Sequence, residues 1–295
     1  MRALWAASRQ ILVNPNVNLK SVGVQSGKPK RLVFPSWRDT EGFIVSPNHE
    51  YAAAAVSSDS GDPHSSWGIG LVKLSQGRDP VVLSSSLAAG SEGMDTVLAF
   101  SPDGRELVFR RASWDGWTTG PPALLALPLG GGEPVPLAQS GIPGASLVPS
   151  DVQQVQWSPD GRWVAYVENR TLDVVPTTGE SAPRVLATDF QSFYQYPVYD
   201  FSWSPTSKAI AYACCSSQRI EQFMTVNPDG THLTNLLRGH RLAYVGLAAG
   251  LVGGAGTPQW SPDGSRLLFT ARGLGHRAPH VWTIRANGND LTRVG

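Results

Sequence analysis

The chain has 295 residues and a formal net charge of +1. This balance argues against a nucleic-acid-binding protein, because such proteins usually carry a clear excess of Lys and Arg. Only 16% of the residues are charged, whereas Gly (31), Pro (23) and Trp (10) are plentiful. The composition indicates an all-β protein with many short hairpins and excludes a helical bundle or a disordered chain.

The N-terminal residues, MRALWAASRQILV, contain no apolar stretch long enough for a signal peptide. The longest uncharged apolar segment covers residues 242–256 and is shorter than the roughly 20 residues of a membrane-spanning helix. We therefore expect no membrane span. The two cysteines, Cys214 and Cys215, are adjacent, so the sequence predicts no disulfide framework and leaves their oxidation state open.

One short phrase recurs along the chain, most clearly as FSPDGRELVF, WSPDGRWVAY and WSPDGSRLLF. It indicates a hairpin: Pro presets the backbone of the turn, Gly accepts a positive φ, and an alternating apolar strand follows. The copies begin at Trp5, Val45, Phe100, Trp157, Trp203 and Trp260, with steps of 40, 55, 57, 46 and 57 residues.

A second hairpin with a Gly-containing turn follows each copy, at residues 22–33, 71–83, 124–137, 172–186, 223–237 and 281–294. Each unit therefore predicts four antiparallel strands, named A to D here in chain order. A lone four-stranded sheet leaves two faces to cover, and radial stacking of the units covers both. The predicted fold is all-β: a six-bladed β-propeller of four-stranded antiparallel blades. Strand A is expected to be innermost, and its aromatic residue to pack between neighbouring blades.

We expect one domain over residues 1–295. Its blades are predicted at about 2–36, 41–85, 95–139, 152–188, 199–239 and 257–295. An open β-solenoid or a sandwich is the alternative architecture, although four strands per unit favour blades.

The SPDG phrases and the hairpin NPDGTHLTNLL resemble the TolB-like propeller family with its WD40-like (PD40) repeats. The resemblance covers the whole chain but is weaker at residues 45–50. It is also weaker at residues 5–9, a segment that lacks Pro, Asp and Gly. It implies a bacterial protein in the periplasm or elsewhere outside the cytoplasm. Members of the family serve as binding proteins, as propellers that gate a hydrolase domain, and occasionally as lyases, so the fold alone does not predict the activity.

The sequence favours a non-catalytic protein and leaves an enzyme open. It has no G-x-S-x-G elbow and no histidine spacing typical of a metal site, so we predict no catalytic residue, no metal and no cofactor. The turn aspartates Asp103, Asp160 and Asp263 invite a calcium interpretation. Their spacing of one per unit favours side chains that stabilise turns by accepting backbone N–H bonds.

Long connections between strands B and C, and between D and the next A, carry aromatic residues interleaved with arginines. These residue types dominate recognition hot spots, and both sets of connections should emerge on one face. The predicted binding residues are Trp67, Arg111, Trp114, Trp117, Tyr194, Tyr196, His240, Arg241, Tyr244, Arg272 and His276.

The predicted function is therefore a binding or protein-interaction propeller, with a protein, small-molecule or glycan ligand at the channel mouth on that face. We expect a monomer with no nucleic-acid partner. One alternative is a channel-sited, carbohydrate-active lyase or hydrolase, with a metal held by two or more of His64, His240, His276 and His280. Another is a propeller that gates or scaffolds a larger multidomain protein.

Overall fold

The computed structural model describes most of the repeated strands and turns. The described residues are 2–7, 10–14, 20–23, 29–31, 39–57, 67–74, 81–84, 92–114, 123–139, 155–168, 171–188, 201–215, 221–240, 242–244, 258–273 and 280–294. Among them, no helix has the length and apolar composition that a membrane crossing needs.

The chain divides into two compact units, and the first comprises residues 1–150 together with 177–182. Its described strands are β1 (Arg2–Ala7), β2 (Gln10–Asn14), β3 (Lys20–Gly23), β4 (Pro29–Arg31), β5 (Asp39–Val45), β6 (Tyr51–Ser57), β7 (Trp67–Lys73), β8 (Val81–Ser84), β9 (Glu92–Phe100), β10 (Glu106–Trp114), β11 (Ala123–Pro128) and β12 (Val135–Gln139).

Within this unit the strands pair antiparallel in chain order. Strands β1 to β4 form one four-stranded sheet. Strands β5 to β8 form a second set of four and β9 to β12 a third. A parallel pair between Trp67 of β7 and Met94 of β9 joins these two sets into one eight-stranded sheet.

The second unit comprises residues 151–176 and 183–295. Its described strands are β13 (Val155–Trp157), β14 (Trp163–Glu168), β15 (Thr171–Pro176), β16 (Arg184–Ala187), β17 (Phe201–Trp203), β18 (Ile210–Cys215), β19 (Glu221–Val226), β20 (Thr234–Asn235), β21 (Leu242–Tyr244), β22 (Gln259–Trp260), β23 (Arg266–Gly273), β24 (His280–Arg285) and β25 (Thr292–Val294).

Strands β13 to β16 and β17 to β20 each form a four-stranded antiparallel sheet. The last sheet has five strands, because both β21 and β22 pair with β23. The four antiparallel strands predicted for each unit are present in chain order, and the last sheet has one strand more. The extra strand β21 was not predicted, since the sixth blade was expected to begin at residue 257. Half-buried Leu242 of β21 packs against an apolar cluster made by residues of the last two sheets.

The Ser-Pro-Asp-Gly turns close through the side chains that the sequence analysis singled out. Asp103 Oδ1 accepts a bond from the backbone N–H of Arg105 at 3.0 Å, and Ser101 Oγ donates to the same carboxylate at 2.6 Å. The equivalent pairs Ser158–Asp160 and Ser261–Asp263 are also 2.6 Å apart. The prediction that these aspartates stabilise turns is confirmed.

The final position of the turn requires a left-handed backbone, which Gly adopts most easily. Gly104 has a φ of 70° and Gly161 a φ of 73°. His49 and Ser207 hold the same conformation in the two described copies that lack Gly there, with φ of 57° and 59°.

Strand A aromatic residues pack against the preceding set of four strands in both units. Buried Phe100 lies in a cluster with Ala53 and Ile69 of the preceding four strands. Trp203 is packed in the same way among Val167 and its neighbours on the preceding sheet. The predicted position of these rings between successive four-stranded sets is confirmed.

A ladder of hydrogen bonds also links the A strands of the second unit. Trp203 Nε1 donates to the Gln156 carbonyl, and Trp260 Nε1 donates to the Ser202 carbonyl, both at 3.2 Å. In return, Gln156 Nε2 donates to the Phe201 carbonyl at 3.0 Å. Each tryptophan therefore contributes a directional bond to the adjacent sheet as well as apolar packing.

Candidate functional site

The first part of the candidate site lies where β7 and β9 begin and β10 ends. The register places Trp67 beside Met94, and Met94 beside Ala112. Adjacent strands are about 4.8 Å apart, so the backbones of Trp67 and Ala112 lie about 10 Å from each other. Three residues predicted to bind a ligand, Trp67, Arg111 and Trp114, thus share one end of this sheet. We call it the Arg111 strand end, defined by Trp67, Asp95, Arg111 and Trp114.

Two long strands with an irregular register build this end. β9 and β10 have 9 residues each, and their register shifts between Val108 and Phe109. A bulge of this kind increases twist and re-aims the side chains beyond it. Past the shift, Arg111 lies directly opposite Asp95.

Arg111 and Asp95 form a bidentate ion pair. The Arg111 Nε donates to Asp95 Oδ1 at 2.8 Å, and its Nη2 donates to Asp95 Oδ2 at 2.9 Å. The Asp95 side chain is fully buried, whereas that of Arg111 keeps 33% of its surface exposed. The hydrogen bond to Asp95 raises the pKa of Arg111, so the guanidinium stays charged at any physiological pH.

The guanidinium is held on its face as well as on one edge. Its central carbon lies 5.3 Å from the centroid of the Phe109 ring, within the range of a cation–π contact. A guanidinium has five N–H donors, and Asp95 uses two. The side chain can therefore present its outer edge to a ligand in an orientation that is already fixed.

Asp95 is the residue of this site that the sequence analysis missed. It lies inside strand A rather than in a connection, so neither the aromatic pattern nor the turn motif indicates it. Asp95 lies opposite Arg111 only because the register shifts between β9 and β10. The sequence does not reveal that shift, so it could not predict this pair.

A second group of predicted residues meets at one end of the last sheet. The register places Tyr244 opposite Ala271, Arg272 opposite Ala243, and His280 opposite Ala271. Tyr244, Arg272 and His280 therefore occupy the same end of this sheet. The His280 Nδ1 lies 3.0 Å from Arg293 Nη2, which acts as the donor.

The described histidines do not converge. His240 Nε2 lies 3.5 Å from the carbonyl of Gly288, beyond the other end of β24 from His280. At a rise of about 3.3 Å per residue, β24 alone separates the two ends by about 17 Å. In the described part of the chain, no group of three or more His, Cys, Asp or Glu side chains is arranged to hold a metal ion. His64 and His276 lie outside the described residues.

A buried polar group also lies at the B–C end of the sheet formed by β13 to β16, and the sequence analysis did not predict it. Asp173 of β15 is only 7% exposed, and its Oδ2 contacts the Thr171 hydroxyl. That hydroxyl also lies 2.7 Å from the Glu168 carbonyl oxygen. Burial, together with the nearby Glu168 carboxylate, raises the pKa of Asp173 to about 6, despite the Thr171 contact.

The other predicted site residues are described by their backbone alone or lie outside the described residues. Trp117, Tyr194, Tyr196, Arg241 and His276 lie outside the described residues. For Trp67, Trp114, Tyr244 and Arg272 the backbone position alone is described. Their roles in binding stay predictions.

Comparison with known proteins supports the fold. No protein-family model and no curated protein sequence matches the chain. Among solved structures, an oligogalacturonate lyase in complex with manganese has a TM-score of 0.57 and 14% identity, over 94% of this chain and 70% of that one. Oligogalacturonate lyase from Vibrio parahaemolyticus has a TM-score of 0.56 and 13% identity, over 99% and 76%.

TolB from Acinetobacter baumannii also matches, with a TM-score of 0.44 and 15% identity; the match covers 96% of this chain and 62% of the TolB chain. At these identities a match describes the fold alone. The lyases are β-propellers, and the strand order described above agrees with six blades, although their number stays a prediction. The chain therefore has an all-β propeller fold, as the TolB-like resemblance of its repeated phrase implied.

Proposed function

We propose that the protein is a non-catalytic binding propeller that holds a protein partner on the face of its B–C and D–A connections. The observation that carries this proposal is the Arg111 strand end. There a guanidinium fixed by buried Asp95 lies on the same sheet end as the backbones of Trp67 and Trp114. Tryptophan and arginine are the residue types most enriched in interface hot spots.

The fixed geometry of Arg111 supports binding rather than a purely structural role. A residue ordered before the ligand arrives loses little conformational entropy on binding. One third of this side chain remains exposed, although its ion-pair partner is fully buried. A guanidinium needed only to neutralise Asp95 could be buried completely.

The test is loss of binding after removal of the predicted aromatic surface. The purified chain would be screened against peptide and glycan arrays. Any ligand found would then be titrated against the triple variant Trp114→Ala, Trp117→Ala and Tyr196→Ala. We expect binding to weaken by about 30-fold or more, because hot-spot truncations cost about 2 kcal/mol or more.

A matched control removes exposed apolar side chains elsewhere: Val185→Ala, Leu233→Ala and Val294→Ala, at residues that are 53%, 57% and 48% exposed. Circular dichroism would establish that both triple variants are folded. Unchanged binding by the folded aromatic variant would refute the proposal, and an equal loss in the control variant would show that the effect is not specific to the proposed face.

The second candidate is a carbohydrate-active lyase, which the structural similarity to two oligogalacturonate lyases favours. The separation of His240 and His280 counts against a metal site that uses both of them. Incubation with oligogalacturonate and Mn²⁺ distinguishes the candidates, because a lyase forms an unsaturated sugar that absorbs ultraviolet light. We expect no absorbance change, and a steady increase that depends on the protein would overturn the non-catalytic proposal.

We also propose that the protein acts outside the cytoplasm, which the TolB-like resemblance of the repeat supports. Fractionation of cells that express the full-length gene product, followed by immunodetection, would test this location. A signal confined to the cytoplasmic fraction would contradict it.

A further inference from the structure

We propose that the outer edge of the Arg111 guanidinium binds a carboxylate on an acidic peptide segment of the partner protein. This inference rests on the proposed function and specifies the chemistry of its ligand. It also assigns Asp95 as the residue that positions Arg111.

The donor geometry carries the first step of the argument. Asp95 occupies the Nε and one N–H of Nη2, which leaves the two N–H groups of Nη1 and one of Nη2. The Nη1 and Nη2 groups form a parallel pair of donors along the outer edge of the guanidinium. A carboxylate matches such a pair with two parallel hydrogen bonds, whereas a single hydroxyl or carbonyl engages only part of it.

Immobilisation carries the second step. The Phe109 ring, which is fully buried, supports the guanidinium from one side at 5.3 Å. Asp95 is 1% exposed and lies in the middle of a strand, so it cannot move away to release Arg111. The outer edge is therefore presented in one orientation, which favours a planar bidentate ligand.

Local charge carries the third step. Asp95 already neutralises Arg111, so recognition depends on the geometry of the two donors more than on long-range attraction. A single carboxylate, as on an Asp or Glu side chain, gains two charge-assisted bonds.

The surrounding residues favour a peptide over a sugar acid. A sugar ring displays several hydroxyl groups and requires several polar partners. Among the described side chains next to Arg111 on the two strands, Val97 and Phe109 are apolar, and Asp95 is already occupied. A peptide can be held by one anchored carboxylate and does not need several polar partners around it.

The experiment observes Arg111 directly by nuclear magnetic resonance. The ¹⁵N-labelled full chain would be titrated with the peptide acetyl-Ala-Glu-Ala-amide, and the Arg111 Nε–H signal would be assigned by its loss in Arg111→Lys. We expect a saturable shift of this signal. The isosteric peptide acetyl-Ala-Gln-Ala-amide should bind at least about tenfold more weakly, because a hydrogen bond to a charged group contributes more than one between neutral groups.

Two variants separate recognition from folding. Arg111→Lys keeps the positive charge next to Asp95 but lacks the paired donors, so Glu-peptide affinity, followed on backbone amides, should fall about tenfold or more. Asp95→Asn should weaken it as well, because the amide cannot hold the guanidinium by two acceptor atoms. If Asp95→Asn proves unfolded, Arg111→Lys alone decides the outcome.

Several results would overturn the inference. These are the absence of a saturable shift with the Glu peptide, equal affinity for the Gln peptide, and unchanged affinity in Arg111→Lys. Free galacturonate that binds as tightly as the Glu peptide would overturn the assignment to a peptide. If a partner found on the arrays is lost in the aromatic variant but retained in Arg111→Lys, this inference fails while the proposed function stands.

Discussion

Replacement of Asp173 by Asn should make the protein more stable at neutral pH and should change how its stability depends on pH. The Thr171 hydroxyl has one proton, yet it lies near both the Glu168 carbonyl and Asp173 Oδ2. Both contacts are satisfied if a protonated Asp173 donates to Thr171 while Thr171 donates to Glu168. An asparagine side chain can donate in the same way and cannot ionise.

The magnitude follows from the raised pKa of Asp173. The pKa is about 6 in the folded protein, against an ordinary value of 3.8. This difference of about 2 units corresponds to ~3 kcal/mol of unfolding free energy. Between these two values the folded chain keeps the proton that the unfolded chain has lost. The stability of the wild type therefore falls as the pH rises from 3.8 to about 6, and this loss is complete above the higher value.

Urea denaturation of both proteins between pH 4 and pH 8 measures the effect. We expect the variant to gain up to ~3 kcal/mol relative to the wild type over this range. Asp263→Asn is the control, because hydrogen bonds from Ser261 and Ser265 lower the pKa of Asp263 to about 2 and it stays ionised throughout. A difference between wild type and Asp173→Asn that does not change with pH would refute the reasoning.

Three further substitutions test contacts between neighbouring four-stranded sets. Trp203→Phe removes the indole donor to the Gln156 carbonyl and should lower the free energy of unfolding by about 1 kcal/mol or more. Urea denaturation would show this as a lower midpoint. An unchanged midpoint would contradict a stabilising role for the hydrogen bonds between A strands. Gly104→Ala should destabilise more than Gly161→Ala. Both glycines have a positive φ, but a Cβ at Gly104 would lie 2.7 Å from Asn48 Nδ2. A Cβ at Gly161 would have no described atom within 4 Å apart from those of its two chain neighbours. Equal midpoints for the two variants would show that backbone strain alone decides the cost.

Most of the local structure could be predicted from the sequence because each unit carries its own signals. Ser101, Asp103 and Gly104 lie within four residues of one another and satisfy one another's hydrogen bonds and backbone conformation. Such short-range chemistry does not depend on the rest of the chain. The copies without Gly were correctly identified as turns for the same reason, since His49 and Ser207 adopt the left-handed backbone in place of Gly.

The candidate site was only partly predictable. The aromatic and arginine pattern correctly selected Arg111, but it could not reveal that buried Asp95 holds the guanidinium. It also grouped His240 with the other channel histidines, whereas His240 lies next to Gly288, beyond the other end of β24 from His280. In both cases the missing information is a contact that depends on how separate strands and loops are placed against each other.

Apart from β21, the sequence alone determined the strands, their order and the turns that connect them, because apolar alternation and turn chemistry act over a few residues. The tertiary structure decided which side chains become partners. Pairing of Arg111 with Asp95 depends on a one-residue register shift between β9 and β10, and the raised pKa of Asp173 depends on burial. Register and burial are properties of the packed chain, since neither is set until the strands have paired and the sheets have packed against each other.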